Sequence, residues 1–165
     1  MANKEFIVTD NAIDMAIERL EVMEDADLLN MFERLSKEQP QMMGYVVGLG
    51  EGLENEQAEE DLLYLTMVVW QASELARNGS VPSISEEAIE SVDKKMDELY
   101  ELIMSFPPAA EEDEINALID GSKQPAIVSY LADEFFSDEY IDLEEEKVAK
   151  MFACMTVIGE ALATA

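Results

Sequence analysis

The chain has no histidine and one cysteine, and its cations are scarce: 10 Lys and Arg stand against 38 Asp and Glu. Each shortage closes a class of chemistry. Without histidine there is no imidazole base, no Ser-His or Cys-His nucleophile and no di-iron Glu-x-x-His pair. The lone Cys154 forms no internal disulfide, and with neither histidine nor other cysteines beside it a zinc site is excluded. Its setting in "KMFACMTVIGEAL" is an apolar helical face, which predicts a buried, inert thiol. No glycine-rich loop ends in Lys-Ser or Lys-Thr, and no strand pattern precedes the glycines that are present.

Long hydrophobic runs are missing too. The longest, "LLYLTMVVW" from Leu62 to Trp70, falls well short of the ~20 residues a membrane span needs. The opening "MANKEFIVTDN" has no apolar signal-peptide segment. The expectation is a soluble, cytoplasmic protein without a membrane partner.

A formal net charge of -28 disfavours direct nucleic-acid binding, because a phosphate backbone is held by clustered Lys and Arg that displace counterions. Self-repulsion of this size weakens the folded state at low salt and is relieved by cations or by lower pH. Salt adaptation accounts poorly for a composition with 26 Glu against 12 Asp and with 11 Met.

What the sequence does have is core-forming material. A hydrophobic fraction of 48% over 165 residues suits a single domain spanning 1–165. A chain of this length can bury roughly 70% of its unfolded surface. Apolar residues recur at helical spacing nearly throughout. Thr9 is placed to cap a first helix with the stripe Ile13, Ala16, Ile17, Leu20 and Met23. Leu28, Leu29, Phe32 and Leu35 mark a second. Pro40 suits the first turn of a third, continued by Met43, Val46, Val47 and Leu49 and ended by Gly50 and Gly52. A fourth opens on "ENEQAEED", carries Leu62, Leu65, Val69 and Ala72, and stops at Asn78-Gly79.

The same order then begins again. "ISEEAIESVDKKM" matches "VTDNAIDMAIERL" at an offset of 76. Ile115 and Leu118 fall on Leu29 and Phe32 at 86, Gln124, Pro125 and Tyr130 on Gln39, Pro40 and Tyr45 at 85, and Val148, Met151, Met155 and Ile158 on Leu62, Leu65, Val69 and Ala72 at 86. Insertions sit in connectors while the apolar stripes stay in phase. The predicted fold is therefore all-α: a bundle of about eight helices built from two tandem four-helix units, residues 9–78 and 84–163, related by approximate two-fold symmetry.

Candidate interaction residues follow from the repeat. Gln39, Pro40 and Tyr45 with Gln124, Pro125 and Tyr130 form a paired set, for which helix-start chemistry is the simpler explanation. Gly44, Gly48 and Gly52, four apart, predict a close helix contact, with Gly44 and Gly48 as a docking surface in the alternative. Trp70 reads as core. One carboxylate pattern, Glu111 and Glu114 followed by Glu139 and Asp142, has the spacing of an Mg²⁺ site like that of all-helical nucleoside triphosphate pyrophosphohydrolases. Among 38 acids such a pattern is expected by chance.

These features point to a non-catalytic interaction or regulatory module that needs no cofactor and binds another protein, one with a basic patch. A homo-oligomer is compatible with the same surface. The rival readings are a nucleic-acid mimic that inhibits a basic protein, and the Mg²⁺-dependent hydrolase.

Overall fold

A computed structural model describes residues 6–136 and 143–165. Within them the chain forms eight α-helices and no strand. Helix α1, Asp10–Glu21, starts where the Thr9 hydroxyl accepts the amide of Ala12 at 3.1 Å. Helix α2, Asp25–Glu38, starts on a capping box in which Glu24 and Asp27 satisfy each other's backbone amides. Helix α3, Pro40–Gly52, has its proline in the first turn, where a missing N–H costs no hydrogen bond.

Helix α4, Glu56–Arg77, is capped by Asn55, and it ends as Asn78 turns into the left-handed region at φ 53°. Helix α5, Glu86–Met104, is capped by Ser85 as α1 is by Thr9. The Pro107-Pro108 connector makes one 3-10 turn, and the acids after it become the first turn of helix α6, Glu111–Gly121. Helix α7, Pro125–Phe135, repeats the proline start of α3, and helix α8, Glu145–Thr164, closes the chain.

Helices α4 and α8 pack against each other and form the centre. α1 runs along α4 and α5 along α8; α3 lies on α4 and α7 on α8. α2 packs on α3, and α6 on α7. Two further contacts join the halves, α1 with α7 and α3 with α5. One continuous apolar core results, in which Trp70, Phe135, Phe152, Leu62, Met151 and Ile158 are fully buried. Both central helices are covered on all sides for a stretch: every residue of α4 from Leu65 to Ser73 is buried, and every residue of α8 from Met151 to Gly159. That is why neither displays a clean polar face.

Gly159 lets α7 approach closely. A methyl group there would sit 2.8 Å from Ile127 Cγ2.

Two positions depart from the sequence stripes. Leu29 is 58% exposed and Met31 is buried in its stead; Val47 is 40% exposed and Met42 is buried. α2 and α3 each offer more apolar residues than one face can hold, so packing against α4 selects among them. The pairing of Ile115 with Leu29 is affected as well, because Ile115 is buried where Leu29 is not.

Candidate functional site

Gln39 and Gln124 begin as backbone joints. Each precedes a proline, which drives it out of the α region, and they take nearly the same conformation, φ -129° and ψ 58° at Gln39 and φ -125° and ψ 63° at Gln124. Their side chains turn inward and are buried. Gln39 Oε1 accepts the amide of Ile84 at 2.9 Å, and its Nε2 donates to the carbonyl of Pro82 at 2.9 Å. Gln124 Oε1 accepts the amide of Val8 at 2.9 Å, and its Nε2 donates to the carbonyl of Phe6 at 2.7 Å. Each glutamine thus satisfies buried backbone that leads into the first helix of the opposite half.

The tyrosines differ. Tyr45 donates from its hydroxyl to Asp93 Oδ1 on α5 at 3.0 Å. Desolvation, then the nearby Cys154 and Asp93, hold that hydroxyl protonated far above the usual phenol range. Tyr130 is raised as well, by burial first and then by Glu134 and Tyr64. Gly44 and Gly48 line a groove of about 490 Å³ between α3 and α5, together with Tyr45, Asp93 and Lys150. A methyl group built on Gly44, Gly48 or Gly52 would meet nothing within 4 Å. The close internal packing expected of this glycine row is therefore not what the chain uses it for; the row is open. Pro40 and Pro125 are exposed at their helix starts. The eight residues are spread over the two glutamine joints, the α3–α5 groove and α7.

Glu111 and Glu114 lie exposed in the first turn of α6, while Glu139 and Asp142 fall outside the described residues. Among the described residues no three acidic or cysteine side chains gather closely enough to hold a metal ion. Burial pushes the Cys154 thiol up to about 12, with a smaller contribution from Asp93. No helix among these residues is long and apolar enough to cross a membrane.

Several of the few cations are engaged within the chain. Arg34 pairs with Glu38 at 2.8 Å and with Glu74, and its guanidinium stacks 4.3 Å from the Trp70 ring centroid. Arg77 donates to the carbonyl of Leu162 at 3.0 Å, near the end of α8, and lies 4.7 Å from the Phe6 ring. Lys150 stands 5.5 Å from the Tyr100 ring, and Lys147 is 3.6 Å from Glu144.

Sequence reasoning did not find a cleft of about 420 Å³ between α5, α6 and α8. Its walls include Leu99, Leu102, Leu118 and Phe152, and Glu160 and Lys95 also line it. Thr156 lines it at 6% exposure, with a hydroxyl that has no hydrogen-bond partner. The signal was present in the offset of 86, which sets Thr156 against Trp70.

Comparison of the chain with protein-family models, with curated proteins and with solved structures finds no match in any of the three.

Proposed function

We propose that this protein is a non-catalytic interaction module, one domain built by duplication of a four-helix unit, that holds a basic partner protein in the cytoplasm. The observation that carries the reading is how the charges are distributed. Among the described residues Arg34, Arg77, Lys147 and Lys150 are turned to the chain's own carboxylates, carbonyls and rings, and in the sequence 38 acids stand against 10 cations. A surface with a large excess of one sign steers oppositely charged partners and rejects like-charged ones. The duplication is supported by the crossed glutamine bonds and by matching helix pairs, α1 on α4 with α5 on α8, and α1 on α7 with α5 on α3. A cytoplasmic setting is supported by a lone, buried thiol.

Immobilised full-length protein, incubated with native lysate at low salt and eluted with a salt gradient, should release a specific basic protein at a defined ionic strength. Absence of any saturable partner at low salt would sink the reading. Release of that partner by duplex DNA in competition would convert the module into a nucleic-acid mimic.

A further inference from the structure

The two central helices answer each other residue for residue over their buried stretch. The unbroken buried run from Leu65 to Ser73 is matched, at the offset of 86, by the unbroken buried run from Met151 to Gly159, although no residue is identical between them. Within it, Thr156 stands where Trp70 stands. In the first half the indole is fully buried, Arg34 from α2 lies over the ring at 4.3 Å, and Glu74 from α4 holds that guanidinium. The second half retains the acid and loses both other members. Glu160 is the counterpart of Glu74, Asp120 replaces Arg34, and Thr156 replaces the indole. The place is open: it is the cleft of about 420 Å³ between α5, α6 and α8. That volume is within the usual range of roughly 300–1,000 Å³ for ligand pockets.

We infer that this cleft receives a segment of a partner protein that supplies the missing pair, an aromatic side chain beneath an arginine. The ring enters between Leu99, Leu118 and Phe152, over Thr156, whose small side chain leaves the room that an indole takes at position 70. The guanidinium lies across the ring and pairs with Glu160, as Arg34 pairs with Glu74. Glu98 adds to the field, and Lys95, the one cation lining the cleft among the described residues, keeps the arginine on the Glu160 side. A partly buried aromatic and an arginine are the side chains that most often dominate binding energy at interfaces. This inference rests on the interaction-module reading and specifies its partner: a basic segment with an exposed aromatic residue next to arginine.

The test is a titration of the ¹⁵N-labelled full chain with N-acetyl-Arg-Trp-Arg-amide, read by amide shifts. Saturable shifts should concentrate around Leu118, Thr156 and Glu160 and weaken with added salt. Thr156→Trp fills the cleft as Trp70 fills its counterpart, and should abolish the shifts while the helical signal and melting temperature are kept or raised. Glu160→Gln leaves the core alone and should weaken binding at least about fivefold, from loss of a charge-assisted bond. The inference is overturned if Arg-Ala-Arg binds as well, if free indole reproduces the full effect, if a folded Thr156→Trp chain binds unchanged, or if no saturable shift occurs. A lysate partner held equally by wild type and Thr156→Trp would overturn the cleft and leave the wider module reading standing.

Discussion

Gln39 and Gln124 hold opposite ends of the same crossed arrangement: Gln39 grips the backbone leading into α5, and Gln124 grips the backbone leading into α1. The gripped residues are themselves matched, since Ile84 and Pro82 lie 76 positions after Val8 and Phe6. Both glutamine side chains are buried. Replacing either by alanine strands an amide N–H and a carbonyl, so Gln39→Ala and Gln124→Ala should each cost about 2–4 kcal/mol. Urea denaturation measures this. Gln39→Glu is the sharper variant, because a carboxylate still accepts from Ile84 but repels the carbonyl of Pro82. Burial would raise that acid's value above its unfolded one, so the variant's deficit relative to wild type should be greatest at neutral pH. It should shrink as pH falls toward about 4. A deficit under about 0.5 kcal/mol, as for an ordinary surface change, would contradict the structural role.

The glycines divide into two kinds. Gly159→Ala drives a methyl group to 2.8 Å from Ile127 Cγ2, and overpacking of this sort should cost about 1–3 kcal/mol. Gly44→Ala and Gly48→Ala meet nothing within 4 Å and replace a flexible residue inside a helix, so each should stabilise by about 0.5–1 kcal/mol. Thermal melts of the three variants check both signs together. Destabilisation at Gly44 or Gly48 would mean that the open row is in fact occupied.

Helix number and helix starts were legible because their causes are local. Thr9, Ser85, Pro40 and Pro125 act within one turn of where they stand. The exposed Leu29 and Val47 were not legible, because α2 and α3 each carry apolar residues on more than one face and the choice is made by distant packing. For Gln39 and Gln124, proximity to proline suggested only a helix start, while the buried amide bonds span 45 and 116 positions of sequence. The cleft was hidden too. It is a gap where α5, α6 and α8 meet, and Thr156 on its own reads as an ordinary helical residue.

Cys154 should be silent in the native protein. A thiol raised to about 12, from a usual value near 8.5, is almost entirely protonated at pH 8 and is fully buried besides. An aromatic disulfide reagent at that pH should label it only as fast as the protein unfolds, and at once in urea. The linked effect on stability has a fixed sign. Above about 8.5 the unfolded thiol loses its proton while the native one keeps it, so stability falls as pH rises through the interval up to about 12. Tyr45 and Tyr130, both raised by burial, steepen the decline from about pH 10 upward. Urea midpoints from pH 7.5 to 10.5 should therefore drop in the wild type and drop less in Cys154→Ala. Equal slopes would remove the thiol from the account.

The crossed glutamines also predict how the chain divides. Cut at Gly79, the first piece keeps Gln39 but loses the backbone that Gln39 holds, and the second keeps Gln124 and loses its own. Each piece also loses the central helix partner, since α4 packs on α8. With the α4–α8 seam of the core opened to water, residues 1–79 or 80–165 alone should show weak helicity and no cooperative melt. Mixed, they should form a one-to-one complex that restores both, with an affinity that Gln39→Ala or Gln124→Ala lowers at least about tenfold. A cooperative monomeric melt from either piece would mean that the halves are complete units and that the crossing is incidental. A homodimer of one piece, with its glutamine holding the lead-in of a second copy, would instead display directly the symmetric arrangement from which duplication can build this fold.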